Sequence, residues 1–206
     1  GIQYKDWPDV PVPLVADMSS DLMSRPIPWE RFDVVYGGVQ KNLAPAGLAL
    51  VIIRRSALDN SNRDLASYLR YDVHAAKGSM YNTPPVFPIY VMDKVLRWVD
   101  DRGGLPAMQA AADERASLLY AAIDDSHGFY TNPVEPGDRS TMNVVFRLAD
   151  ESLEAPFIAE AAKRGMVGLN GHRSVGGCRA SLYNAMPLAG VEALCALMAD
   201  FARTAS

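Results

Sequence analysis

This sequence has few cysteines and no long apolar run. Its two cysteines, Cys178 and Cys195, lie apart and without metal-ligand spacing, so neither a disulfide framework nor a metal site is expected. No apolar stretch reaches the ~18–20 residues that a membrane-spanning helix needs, and no signal peptide precedes the first motif. We therefore expect a protein of the reduced cytoplasm that does not insert into a membrane.

The chain also lacks the basic charge of a nucleic-acid binder. Its 206 residues carry a formal net charge of -4, which argues against a nucleic-acid partner. No G-x-x-x-x-G-K-[ST] motif is present, which excludes a nucleotide P-loop. Hydrophobic residues make up 49% and charged residues 21% of the chain, which is typical of a globular protein.

An initial methionine is missing as well. Gly1-Ile2-Gln3-Tyr4 reads as if a strand or loop were already under way, so we expect the chain to be a fragment.

Strands alternate with helices along the chain, which predicts an α/β fold. The domain junction is placed near the first long helix, giving one domain over residues 1–100 and a small α/β domain over 101–206. Strands are predicted at Val12–Ala16, Asp33–Tyr36, Leu48–Ile53, Met142–Leu148, Met166–Leu169 and Arg179–Tyr183. Helices are predicted at Pro88–Asp101, Leu105–Asp125, Leu153–Arg164 and Gly190–Ala202.

A lysine lies in a glycine-rich loop between two of these strands. Lys41 follows Gly37-Gly38-Val39-Gln40 and precedes a Pro/Gly turn. Glycines let the backbone come close to a bulky group, so the hypothesis is that Lys41 holds a cofactor aldehyde as a Schiff base. A surface lysine at a strand end is the simpler alternative.

A carboxylate ends the preceding strand. Asp17 and Lys41 follow consecutive predicted strands, so both side chains are expected at one sheet edge. Pyridoxal phosphate needs a lysine, a carboxylate at its ring nitrogen and donors for its phosphate. Gln40, Ser19, Ser20, Asn82 and Thr83 are candidate donors. Taken alone, Asp17 is more typical of a turn or a helix cap.

A third cluster combines a histidine with two arginines. His172, Arg173 and Arg179 lie in a glycine-rich segment, predicted as a loop over Asn170–Cys178. Because the guanidinium fork binds carboxylate and phosphate oxygens in pairs, this segment is a candidate anion clamp. A solvated surface is the alternative.

Four ordered segments resemble the phosphoserine aminotransferase family of class V, fold type I enzymes that use pyridoxal phosphate. They are Val15–Ser20 with Ser24–Pro26, Tyr36–Gly47, Ser79–Pro85 and Gly171–Pro187. The resemblance implies the C-terminal part of such a fold, with a partial, mostly parallel large-domain sheet and a small α/β domain. It also implies a homodimer that moves an amino group between L-glutamate and 3-phosphohydroxypyruvate in serine biosynthesis.

The resemblance assigns roles residue by residue. Lys41 would be the Schiff-base lysine, Asp17 the partner of the ring nitrogen and Gln40 a contact of the cofactor phosphate. Asn82 and Thr83 would reach the cofactor phosphate of the other subunit. His172 and Arg173 would bind the substrate phosphate, and Arg179 the substrate α-carboxylate.

Two alternatives to this function remain from the sequence. One is a related fold type I enzyme, such as a desulfurase or a decarboxylase. The other is a truncated, inactive chain, or one half of a split enzyme that needs a separate N-terminal partner chain.

Overall fold

The structure, a computed structural model, describes residues 1–59 and 64–205. The chain divides into two compact units. One unit is Pro8–Leu105, and the other joins Gly1–Trp7 to the chain from Pro106 onward. The functional domains predicted over residues 1–100 and 101–206 stay a prediction.

The first unit is built on a three-stranded sheet of order β1-β2-β3: β1 (Val15–Asp17), β2 (Val34–Gly38) and β3 (Ala49–Ile53). Strand β1 pairs with β2 in parallel, with Asp17 opposite Tyr36. Strand β3 pairs with β2 antiparallel, so the sheet is mixed and not mostly parallel. The reason is that β2 and β3 are joined by a short loop, whereas a parallel pairing requires a long crossover.

Three helices complete the first unit: α1 (Arg55–Asp59), α2 (Tyr71–Ala76) and α3 (Val86–Asp101). Residues 78–85 before α3 form no helix, as the prolines predict, because Pro84 forces the preceding residue toward extended geometry. Helix α3 agrees closely with the helix predicted from its apolar periodicity.

The second unit contains α4 (Gly104–Asp124), β4 (Tyr130–Thr131), β5 (Asn143–Leu148), α5 (Glu154–Lys163), β6 (Asn170–His172), β7 (Gly176–Ser181) and α6 (Leu188–Ala205). Its four strands form an antiparallel sheet of order β4-β5-β7-β6. The strand predicted at Met166–Leu169 is wrong, because the extended segment begins at Asn170. The segment predicted as a loop over Asn170–Cys178 instead contains β6 and the first half of β7, which pair as a β-hairpin. The second half of β7 lies within the strand predicted at Arg179–Tyr183.

Alternating burial explains the core of the second unit. Every second residue of β5 is buried, which is the pattern of a strand with one face on a core. Phe146 of β5 and Phe157 of α5 are fully buried, with ring centroids 5.9 Å apart in an edge-to-face arrangement. Helices α4 and α6 contribute Leu119 and Leu197 to the same cluster.

Among residues 1–59 and 64–205, no helix is both long and apolar enough to span a bilayer. The cytoplasmic location stays a prediction.

Candidate functional site

The carboxyl ends of β1 and β2 carry a fixed carboxylate. Oδ1 of Asp17 accepts hydrogen bonds from the backbone N–H of Ser19 at 2.8 Å and from its hydroxyl at 2.6 Å. The Ser19 hydroxyl oxygen in turn accepts the backbone N–H of Gly38 at 3.1 Å. This Asp17–Ser19–Gly38 network ties the end of β1 to the end of β2.

A close backbone approach makes this network possible. A Cβ atom built on Gly37 would lie 3.2 Å from the backbone of Ser19, which is tighter than ordinary van der Waals contact. A larger residue at position 37 would therefore push Ser19 away from β2. Glycine at this position serves the approach of two chain segments.

Lys41 lies close enough to the carboxylate for its charge to act on it. The two hydrogen bonds from Ser19, followed by the charge of Lys41, hold the pKa of Asp17 below its usual value, and partial burial opposes them only in part. Asp17 is exposed and Lys41 is half-buried. An ionised carboxylate open to a ligand is what a protonated ring nitrogen requires, so these two residues fit pyridoxal phosphate.

Buried neighbours hold the lysine loop in place. Val39 and Leu43 are almost fully buried on either side of Lys41. Asn42 is buried too, and its amide donates to the carbonyl of Leu22 at 3.1 Å. Gln40 remains exposed. No role was predicted for Asn42, although a polar residue between buried apolar neighbours is a recognisable signal of such an anchor.

Ser19 was expected to donate to a phosphate, and the structure places it differently. Its hydroxyl proton is directed to Asp17, so its role in this structure is to orient the carboxylate. The sequence offered no means of choosing between these two uses of a serine that follows an aspartate.

Asn82 and Thr83 lie in the same unit, in the exposed segment before α3. The Asn82 amide donates to the carbonyl of Thr83 at 3.1 Å. Large exposed apolar side chains occur before and after this pair along the chain: Tyr68, Leu69, Met80, Val86, Phe87 and Tyr90.

His172 and Arg173 lie at the tip of the β6–β7 hairpin and are exposed. The backbone N–H of Ser174 approaches Nδ1 of His172 at 3.3 Å, and the Ser174 hydroxyl lies 2.7 Å from the same atom. Because an N–H can only donate, Nδ1 is the acceptor in this contact, which corresponds to the tautomer with a proton on Nε2. Nε2 can therefore donate to a ligand.

Arg179 lies on β7, paired with Val145 of β5. Its side chain is half-buried, and its buried Nε has no hydrogen-bond partner among the residues that the structure describes. A buried guanidinium nitrogen without an acceptor is costly, so an anionic ligand at this position would be stabilising.

Cys178 precedes Arg179 and faces the core. It is 1% exposed, and burial followed by the charge of Glu154 raises the pKa of its thiol to about 12. A thiol in this state is a poor nucleophile.

The structure thus brings Asp17, Gln40 and Lys41 to one edge of the first unit. His172, Arg173 and Arg179 lie on one hairpin of the second unit. No group of three or more metal-ligating side chains occurs within the described ranges. The functional roles of these residues stay predictions at this point.

The sequence pattern of the class-V aminotransferase family matches residues 9–194, and the chain belongs to this family. The more specific resemblance to phosphoserine aminotransferases is confirmed. The phosphoserine aminotransferase of Lysinibacillus sphaericus is 52% identical over 202 residues, covering 98% of this chain and 56% of that protein.

Solved structures agree. The phosphoserine aminotransferase of Bacillus circulans subsp. alkalophilus superposes with a TM-score of 0.96 at 49% identity, covering all of this chain and 57% of the other. The PLP-bound phosphoserine aminotransferase of Trichomonas vaginalis gives a TM-score of 0.92 at 39% identity, covering 97% of this chain and 57% of the other.

The chain therefore spans little more than half the length of these relatives. The prediction that it is the C-terminal portion of such an enzyme is withdrawn. The similarity covers 56% of the length of that relative, and this coverage does not support a C-terminal placement. The expectation of a separate N-terminal partner chain depended on that placement and is withdrawn with it.

Proposed function

We propose that this chain carries cofactor and substrate residues of a pyridoxal-phosphate-dependent phosphoserine aminotransferase. The reaction transfers an amino group between L-glutamate and 3-phosphohydroxypyruvate, in serine biosynthesis. The observation that carries the proposal is the ionised, doubly hydrogen-bonded Asp17 beside Lys41 at the end of two parallel strands. The similarity to phosphoserine aminotransferases supports it.

Each cofactor residue has a distinct task in this proposal. Bound pyridoxal phosphate supplies an electron sink at the substrate α-carbon. The Lys41 amine holds the cofactor aldehyde and, once released, moves the proton at that carbon. The Asp17 carboxylate keeps the ring nitrogen protonated. Gln40 of this subunit, together with Asn82 and Thr83 of a second copy, donates to the cofactor phosphate.

The substrate residues recognise two different anions. The exposed Nε2 of His172 and the guanidinium of Arg173 bind the phosphate of the substrate. Arg179 pairs with the α-carboxylate that both substrates share, and its buried Nε supports this role because it has no acceptor among the described residues.

The structure gives a cysteine-dependent reaction little support. A desulfurase needs a reactive thiolate, and the Cys178 thiol is buried with a pKa raised to about 12. Cys195 is half-buried, and burial raises its pKa as well.

Substitution of Lys41 tests the proposed function directly. In the complete enzyme, Lys41→Ala should lower turnover by about a hundredfold to ten-thousandfold, because the variant loses the group that moves the proton. Borohydride treatment of the wild-type holoenzyme should fix the cofactor on the peptide that contains Lys41, as read by mass spectrometry.

Lys77→Ala is the matched control, since Lys77 is an exposed lysine of the same unit. It should retain both turnover and labelling at Lys41. Normal transamination by Lys41→Ala, or labelling of another lysine in the wild type, would refute the assignment. A chain that serves only as a binding partner would fix no cofactor at Lys41.

A further inference from the structure

Arg147 connects β5 to the tip of the β6–β7 hairpin. One terminal nitrogen, Nη2, donates to the backbone carbonyl of Val175 in the turn between β6 and β7. The other, Nη1, lies 3.3 Å from Oε1 of Glu151 and 3.6 Å from Oε1 of Glu154, just before and at the start of α5. One guanidinium therefore joins three segments of the second unit.

The glycines of the hairpin make room for this side chain. A Cβ atom on Gly176 would lie 3.4 Å from Nη2 of Arg147, and one on Gly177 would lie 3.1 Å from its Cγ. Both glycines have positive φ, 77° and 72°, which L side chains rarely adopt. The backbone of β7 thus passes directly over the arginine.

Two glutamates lie beside the same guanidinium nitrogen. Glu151, whose side chain is 79% exposed, accepts a hydrogen bond from Nη1, whereas Glu154 forms an ion pair with it at 3.6 Å. The side chain of Glu154 is only 16% exposed, and that of Arg147 is 32% exposed. A planar fork held by carboxylates on one nitrogen directs its other nitrogen along a defined line. That line ends at Val175, next to the short segment that carries His172 and Arg173.

We propose that Arg147 is a positioning residue for the substrate phosphate. By holding the Val175 carbonyl, it fixes the turn so that His172 and Arg173 present their donors together. This inference rests on the proposed function, which assigns the phosphate to His172 and Arg173. Arg147 itself touches neither substrate nor cofactor in the proposal.

The test compares four variants of the holoenzyme. Arg147→Met removes the contact to Val175, and Arg147→Lys keeps the charge but not the fork. Because Arg147→Met leaves Glu154 without its cation, the double variant with Glu154→Gln guards against simple misfolding. Arg164→Met is the control, since Arg164 pairs with Glu160 and Asp200 elsewhere in the same unit.

Two readouts separate positioning from general damage. The first is amide hydrogen exchange across residues 171–176, which reports loosening of the turn without reference to activity. The second is the KM for phosphoserine, the aminated form of 3-phosphohydroxypyruvate and hence the amino donor of the reverse reaction, compared with the KM for glutamate in the forward reaction. Misplacement of positioned groups costs on the order of ten- to a hundredfold, so the KM for phosphoserine should rise by that factor while that for glutamate stays within about twofold.

In Arg147→Met and in the double variant, we expect faster amide exchange over residues 171–176 and a rise in KM for phosphoserine only. Arg147→Lys should show smaller changes in both quantities. Arg164→Met should show no change in either. Unchanged amide exchange in Arg147→Met and in the double variant would overturn the inference. Faster exchange with an unchanged KM for phosphoserine would overturn it too, as would equal losses for both substrates.

His172→Ala, measured alongside, keeps the two proposals distinguishable. If His172→Ala leaves the KM for phosphoserine unchanged, the phosphate assignment of the proposed function fails. If His172→Ala raises the KM for phosphoserine and Arg147→Met does not, only the positioning role of Arg147 fails.

Discussion

At the scale of single residues, Ser19 has the strongest influence on the pKa of Asp17. It provides two hydrogen bonds to Asp17 and accepts one from Gly38. Its hydroxyl is the largest cause that holds the pKa of Asp17 low. A sequence can show that a serine follows an aspartate, but the rotamer that turns the hydroxyl back onto the carboxylate depends on the spacing between β1 and β2.

Ser19→Ala should therefore shift the pH dependence of cofactor binding. Asp17 holds a protonated ring nitrogen only while it is ionised, so binding is present above its pKa and lost below it. Without the hydroxyl, the pKa of Asp17 rises toward its ordinary value, and the acid loss of binding should begin at a higher pH. Cofactor absorbance, titrated from neutral to acidic pH, measures the shift.

The control for this experiment is Ser56→Ala, an exposed serine on α1 of the same unit. This variant should lose cofactor binding over the same acidic pH range as the wild type. If Ser19→Ala also loses binding over the wild-type pH range, the role given to the hydroxyl is contradicted.

At the scale of elements, apolar patterns predicted most of the chain. Strands β2, β3 and β5 and the helices α3, α4, α5 and α6 lie within a few residues of their predicted bounds. These elements bury one face or stripe, so their period is visible in the sequence. The sequence also placed Asp17 and Lys41 at one sheet edge, because they follow consecutive predicted strands. In the structure, the parallel pairing of β1 with β2 brings them there.

Strand β6 and the first half of β7 were missed for a physical reason. These segments are short and rich in glycine, so they show no apolar period, and glycines usually indicate a turn. Here Gly171 is required by close packing. A Cβ atom at this position would lie 1.9 Å from the carbonyl oxygen of Gly176 and 2.6 Å from that of Gly177.

Gly171→Ala should consequently open the hairpin. A contact this short with backbone atoms forces the strands apart, and overpacking of this kind costs about 1–3 kcal/mol or more in the free energy of unfolding. Thermal unfolding should show a lower Tm, and amide exchange should increase over β6 and β7.

Gly137→Ala supplies the comparison, because a Cβ atom there has no neighbour within 4 Å. This variant should unfold like the wild type. A Gly171→Ala protein with wild-type Tm and wild-type exchange in the hairpin would show that the strands can separate at no cost.

At the scale of the whole molecule, the two compact units carry different parts of the proposed chemistry. The cofactor residues Asp17 and Lys41 belong to the first unit, and the anion-binding residues His172 and Arg179 belong to the second. The sequence placed each residue in its own motif. The role of each residue within its unit depends on contacts that no local pattern encodes, such as the hydrogen bonds between Ser19 and Asp17.

The first unit also carries an apolar surface around Asn82 and Thr83, for which we propose a second copy as the partner. Large apolar side chains there are unusually exposed: Met80 at 67%, Val86 at 69% and Phe87 at 66%. An exposed apolar cluster of this kind is typical of a protein–protein interface. A homodimer would cover it and would place Asn82 and Thr83 next to the cofactor phosphate of the partner, as proposed.

Phe87→Asp should weaken this dimer and, with it, the cofactor. Loss of one buried phenylalanine costs about 1.5–3 kcal/mol, so the dimer dissociation constant should rise about ten- to a hundredfold. Sedimentation of the complete enzyme over a concentration series measures that change, and the cofactor should dissociate in parallel because Asn82 and Thr83 of the partner are removed.

Val167→Asp is the control, since Val167 is 84% exposed in the second unit, and this variant should remain dimeric. If Phe87→Asp dimerises as tightly as the control, the surface around Asn82 is not the dimer interface. If it becomes monomeric but retains its cofactor with wild-type affinity, Asn82 and Thr83 do not reach the phosphate of a partner.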